Sequence, residues 1–227
     1  MLLTRSVLPS KAEPVPRTYG RPAESRNNGE RIANVCFGLN VWAWGVLTIW
    51  AAPEAEQFHL VRICIASLHM VVGLLFLLRR PLVRAGQIRS LLAAMPALLC
   101  SGFAFAHAGP CQQWNNVAIG LFFVGTIVAI AAFASLARNF AVLPAVRGVT
   151  TTGLYRMVRH PAYAGETLLV VACFAARPDL MAGLILIIAI AAVVIRIQAE
   201  ERLLAGNILA YDRYRSKVSK RLIPGIW

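Results

Sequence analysis

Four stretches of this chain carry no formal charge: residues 32–52, 63–78, 90–109 and 117–137. Each is close to the roughly 20 residues an α-helix needs to cross a hydrocarbon core about 30 Å thick. Lipid offers no hydrogen bonds, so a spanning segment must satisfy its own backbone, and apolar runs of this length do so as helices. With 58% hydrophobic and only 15% charged residues, the chain lacks the polar surface of a soluble domain. Two shorter runs follow, 167–176 and 180–195, separated only by Arg177-Pro178-Asp179, a turn-type breaker. These predict a tight helical hairpin. The expected fold class is therefore all-α: a multi-pass transmembrane bundle of about six segments with a C-terminal helical hairpin.

A net charge of +13 raises nucleic acid as a partner, and the placement of the charges argues against it. Of the 23 Lys and Arg, six fall in residues 1–31, four in 79–89, four in 138–159 and seven from Arg196 onward. These blocks alternate with acidic or neutral connections at 53–56, 109–116 and 177–179, as the positive-inside rule requires of six crossings with both termini cytoplasmic. The protein is expected in the inner membrane of a bacterium or the endoplasmic reticulum of a eukaryote. Residues 1–31 hold Pro9, Pro14, Pro16 and Pro22 among polar residues and are expected to form a mobile cytoplasmic tail, with residues 32–137 forming four N-terminal spanning helices. Cys36, Cys64, Cys100, Cys111 and Cys173 make no C-x-x-C pair and read as packing residues, leaving a Cys100–Cys111 disulfide open.

The fifth segment is informative because it is short. From Ala162 to Ala176 a helix extends about 22 Å, too little for a bilayer unless its start lies below the headgroups, enclosed by protein. Pro161 favours a helix start there, so residues 155–160 are expected to form a re-entrant approach. The sixth segment shows the opposite mismatch: a helical pattern runs past Ile195 through Arg196, Glu200, Glu201 and Leu204 and should protrude beside that loop. The rest, 211–227, is basic and aromatic and is expected to lie along the membrane face.

Each polar residue near this junction has an ordinary explanation. Arg196 and Glu200, four apart, suit a surface ion pair. Arg159 and His160 suit lipid headgroups, and Tyr155 and Tyr163, like Trp42, Trp44 and Trp50, suit interfacial anchors. Glu201 lies about 100° further round the helix and aims elsewhere. Together, however, a histidine, two tyrosines, arginines and glutamates converge on one pocket suited to a polar cofactor. His59, His69 and His107 are expected to stand apart from carboxylates, so no metal centre is expected. There is no G-x-S-x-G, P-loop or G-x-G-x-x-G fingerprint.

Arg138-Asn139-Phe140, then VTTGLYRMVRHPAYAGE at 149–166, then Arg196 with Glu200-Glu201, and the closing RLIPGIW resemble the isoprenylcysteine carboxyl methyltransferase family of integral membrane methyltransferases. The wider superfamily includes phospholipid N-methyltransferases and, more distantly, membrane sterol reductases. The resemblance covers roughly the C-terminal 90 residues and implies that residues 138–227 form the catalytic region. It implies S-adenosylmethionine as cofactor, contacted by Arg147, Gly148, Val149, Thr150, Tyr155, His160, Pro161, Ala162 and Tyr163, with Glu200 holding its polar end. Arg196 matches the arginine associated with the methyl acceptor. The implied acceptor is the carboxylate of a lipid or prenylated small molecule or peptide. For a phospholipid amine, Glu201 or Tyr155 is the candidate base. A nicotinamide-dependent reductase and a small transporter or binding relic are the rival classes, and no obligate protein partner is inferred. The chain departs from the family pattern at Asn207-Ile208-Leu209-Ala210-Tyr211, where a Gly-Glu-Glu-Tyr type stretch is usual, and at Val218-Ser219, where Val-Pro is usual. Both bear on the acceptor and on C-terminal packing more than on the donor.

Overall fold

The computed structural model describes residues 27–54, 58–78, 84–85, 88–140, 145–146, 149–205, 209–225 and 227. Seven α-helices follow in order: α1 Asn27–Trp50, α2 Leu60–Leu78, α3 Ile88–Ala108, α4 Asn116–Leu136, α5 Pro161–Ala176, α6 Leu180–Ala205 and α7 Leu209–Lys217. The first six are the six expected segments. α1, α2, α4 and α6 are long and apolar enough to cross a membrane, and α5 is a shorter apolar helix. The mobile tail expected at 1–31 lies mostly outside the described residues, and α1 begins at Asn27, not at residue 32. Its first turn carries Glu30, an anion the helix N-terminus favours. A two-residue antiparallel pairing, β1 Arg84–Ala85 with β2 Ala145–Val146, joins the α2–α3 connection to the segment leading to α5 and leaves the all-α class intact.

α5 is the central element, packed on α4, α3 and α6. Small residues make that possible. A Cβ on Gly165 would stand 2.6 Å from the Ala129 backbone nitrogen, and one on Gly125 would stand 3.0 Å from Leu168 Cβ, so α4 and α5 approach backbone to backbone. The core at the far end of this pair is aromatic, with Trp114 edge-on to Phe122 at 5.5 Å between centroids. Pro161 occupies the first turn of α5 as expected, and its 16 residues span about 24 Å. In the first hairpin, Trp42 is no simple interfacial anchor: its indole donates to the Met70 carbonyl at 2.9 Å. Trp44 and Trp50 are exposed. All five cysteines are free thiols, including Cys100 and Cys111.

The α5–α6 turn is tied to α3 by hydrogen bonds. His107 Nε2 lies 2.9 Å from both Asp179 carboxylate oxygens, which corrects the expectation that His107 stands apart from carboxylates. The fold closes a separation of 72 residues that no local spacing could reveal. Arg177 Nε meets Asp179 at 2.9 Å, and the Ala182 amide donates to Asp179 Oδ1 at 2.8 Å, starting α6. The Ala182 amide first, and the His107 hydrogen bond second, hold the Asp179 carboxyl below the usual carboxylate range.

A carboxyl depressed on folding adds stability above its unfolded pKa of about 3.9, and that contribution fades as pH falls through the lower folded value. Asp179→Asn is therefore expected to lower the melting temperature in detergent at pH 7, with the gap to wild type closing below about pH 4; a pH-independent gap would contradict this. Gly165→Val should destabilise by about 1–3 kcal/mol through overpacking on Ala129, read by thermal or denaturant unfolding.

Candidate functional site

The start of α5 and the last turns of α6 face one another, as the two length mismatches predict. Their contacts fall into two sets, divided by the step from Glu200 to Glu201. About 100° of helix rotation separates these neighbours, and each glutamate meets different partners.

The first set surrounds Tyr163. Its hydroxyl donates to Glu200 Oε2 at 2.6 Å. One face of its ring is stacked on His160, with centroids 5.6 Å apart and planes 14° apart. The Arg196 guanidinium carbon lies 4.7 Å from the ring centroid, a cation–π contact. Tyr163 thus bridges Arg196 and Glu200, the pair whose spacing suited a plain ion pair. Arg196 Nη1 also lies 3.7 Å from Glu166 Oε2, and Ser101 donates to Glu166 Oε1 at 3.3 Å.

The second set surrounds Glu201, which is buried. Its Oε1 accepts from Arg159 Nε at 2.8 Å and lies 3.2 Å from His160 Nε2; its Oε2 accepts from Arg221 Nε at 3.1 Å. Arg159 further donates through Nη1 to the carbonyls of Val218 and Ser219, at 2.9 and 3.1 Å. Arg159 and His160 are 7% and 5% exposed, so they are interior residues and not headgroup anchors. Charge-assisted hydrogen bonds of this kind are the strong ones, and they fix the loop to α6.

The C-terminal segment closes over the loop. The amides of Arg159 and His160 donate to the carbonyls of Lys220 and Arg221 at 2.9 and 2.8 Å, and the Tyr214 hydroxyl donates to the Tyr155 carbonyl at 2.8 Å. Arg221 then covers the Trp227 ring at 5.4 Å. Residues 218–227 are thus a strap across the loop, a role that basic and aromatic composition alone did not reveal. Val218-Ser219, one of the departures from the family pattern, sits under the Arg159 guanidinium.

Tyr155, Ala162, Tyr211 and Tyr214 form a buried cluster with Ala132, and half-buried Val149 packs against it. Thr150 accepts from Asn139 Nδ2 at 3.1 Å. Arg147 and Gly148 lie outside the described residues. Burial first, and the Glu200 charge second, push the Tyr155 hydroxyl well above the ordinary tyrosine range. The Tyr211 hydroxyl is buried with no hydrogen-bond partner among the described residues, which is costly unless a ligand or water supplies one. Among the described residues no group of three His, Cys, Asp or Glu is arranged to hold a metal ion.

The structure thus brings together Tyr163, His160, Arg196 and Glu200, and sets Glu201 into the loop anchor. Sequence reasoning gave no role to Glu166, Arg221 or Tyr211. Tyr163, Glu166, Thr167 and Val170 follow the i, i+3, i+4, i+7 spacing of one helix face, the signal that Glu166 points where Tyr163 points.

Residues 114–208 match the family model described as phospholipid methyltransferase. That family is related to the isoprenylcysteine carboxyl methyltransferases, so the resemblance read from the motifs holds. No curated protein matches. The match and the four long apolar helices support an integral membrane methyltransferase.

Removing the Glu201 charge leaves two arginines and a histidine without their shared partner. Glu201→Gln is expected to cost about 3 kcal/mol or more, measured by denaturant unfolding, whereas Glu200→Gln, at the more open member of the pair, should cost under about 1 kcal/mol.

Proposed function

We propose that this protein transfers the methyl group of S-adenosylmethionine to the head group of a membrane-resident amphiphile, at a pocket between the start of α5 and the end of α6. The observation that carries the reading is the charge set around Tyr163. One cation, Arg196, and two carboxylates, Glu166 and Glu200, leave a formal excess of negative charge there. A ligand with sulfonium and ammonium cations and one carboxylate complements such a set. The buried Tyr211 hydroxyl adds a polar group that a ligand would satisfy. The residues that would hold the donor are Val149, Thr150, Tyr155, His160, Pro161, Ala162, Tyr163 and Glu200, with Arg147 and Gly148 just before them in sequence.

The donor, when bound, supplies a methyl carbon already activated for nucleophilic displacement. The work left to the chain is to bind, align and exclude water. Tyr163 holds the Glu200 carboxylate in one direction, and the His160 stack keeps the Tyr163 ring in place. The Arg159–Glu201 anchor and the strap at 218–227 hold the loop shut against the aqueous phase. Both termini and this pocket are proposed to face the cytoplasm, where the basic segments lie.

For the acceptor, the sequence reading is a carboxylate of the prenylcysteine type, gripped by the planar fork of Arg196. A second reading, a phospholipid amine, is favoured by a specific observation: the Arg196 guanidinium already faces a carboxylate, Glu166, at 3.7 Å. The matched family's description also names phospholipids.

Glu200→Gln is expected to weaken binding of S-adenosylmethionine about tenfold by calorimetry, the loss of one charge-assisted contact. Arg196→Ala should retain donor affinity within about threefold while losing turnover. Equal loss of donor affinity in both variants would contradict this division of roles.

A further inference from the structure

The Arg138-Asn139-Phe140 motif stands outside the contacts around Tyr163 and Glu201, yet the chain bends sharply to place it. α4 ends at Leu136 and gives way to a single 3-10 turn, Ala137–Asn139. Ala137, which opens that turn, has a φ of 43°, a conformation that favours glycine and is strained for a residue with a Cβ. Such strain persists only where the surroundings impose it, and here Phe140 imposes it. Its ring is buried and stands edge-on to Phe76 of α2 and Phe133 of α4, with centroids 5.6 and 5.5 Å apart. Its amide donates to the Ala137 carbonyl at 3.2 Å. Edge-to-face aromatic contacts are directional, so this clasp fixes the turn and, with it, the direction of Asn139.

Asn139 Nδ2 donates to Thr150 Oγ1 at 3.1 Å, across 11 residues of chain. The stretch after Thr150 lies against the same end of α4. Val149 and Leu154 join Phe133 and Leu136 around the buried Ala132–Tyr155 cluster, and Gly153 is so close to α4 that a Cβ there would collide with the Ser135 hydroxyl. The last turn of α4 and Asn139 thus form a floor under residues 149–154. A threonine hydroxyl has one proton to give and two lone pairs to receive with. With its oxygen accepting from Asn139, the Thr150 hydroxyl has its proton left to donate in another direction. We infer that Asn139 is a positioning residue of the donor site, holding the Thr150 hydroxyl so that its proton is offered to an acceptor atom of the methyl donor. S-adenosylmethionine carries such acceptors in its carboxylate, its ribose oxygens and its adenine ring nitrogens. Asn139 acts through Thr150 and does not itself touch the donor, and Phe140 ties it to α2 and α4. This rests on the methyltransferase reading above and on the place of Thr150 in it.

The test uses the full chain in detergent and calorimetric titration with S-adenosylhomocysteine, so that binding is read without an acceptor. Asn139→Ala and Thr150→Val should each weaken binding about five- to tenfold, the loss of one oriented hydrogen bond. The double variant should fall no more than about twofold below the weaker single, because the two residues act as one unit. Thr150→Ser, which keeps the hydroxyl, should stay within about twofold of wild type. The ligand-free melting temperature of every variant should stay within about 4 °C of wild type, which reports an intact fold. Wild-type affinity in Asn139→Ala would overturn the positioning role and leave the donor site standing. So would single losses that multiply in the double variant, or a loss in Thr150→Ser equal to that in Thr150→Val, which would put packing in place of the hydroxyl. Wild type that binds no S-adenosylhomocysteine would overturn the donor reading beneath, and this role with it.

Discussion

The ion cluster on Glu201 sets the geometry on which the site depends. α5 has 16 residues, about 24 Å, and the loop before it is buried in protein, so the loop backbone must find partners there. Glu201 meets that demand from α6 by binding Arg159, His160 and Arg221 together. The strap at 218–227 completes it by accepting the Arg159 and His160 amides. A buried carboxylate shared among several well-aligned donors is one of the few arrangements that repays desolvation. Once the loop is fixed, His160 is fixed, and through the 5.6 Å stack Tyr163 is fixed as well.

Two adjacent glutamates therefore divide structure from chemistry. Glu201 faces the loop and the strap with both oxygens engaged. Glu200 faces Tyr163, and His160 belongs to both sets, contacting Glu201 through its edge and Tyr163 through its face. The same logic extends along α5. One turn deeper than Tyr163, Glu166 continues the polar line, linking Arg196 to Ser101 on α3. The polar path runs from the loop into the bundle.

Much of this was legible in the sequence because it depends on length and local pattern. Six helices, the Pro161 start, the continuation of α6 to Ala205 and the separate aims of Glu200 and Glu201 all follow from the rise and rotation of a helix. What was not legible depends on contacts between distant segments. The His107–Asp179 contact closes 72 residues and the Arg159–Glu201 contact 42, and no spacing rule reaches so far. Arg159 and His160 read as headgroup anchors because a basic residue at a membrane boundary is usually solvated. Only the strap, whose path is set by its own hydrogen bonds, reveals them as interior. Glu166 escaped notice for a simpler reason: it closes a recognised motif and drew attention only as its last letter.

The central claim is that the start of α5 and the end of α6 enclose a cationic methyl donor. A density map of the full chain with S-adenosylhomocysteine bound tests this most directly. The account predicts ligand density in contact with Tyr163 and Glu200, beneath the loop at 155–160 and beside the Tyr211 hydroxyl. Density at any other part of the bundle, with the Tyr163–Glu200 contact undisturbed and uncovered, would contradict it.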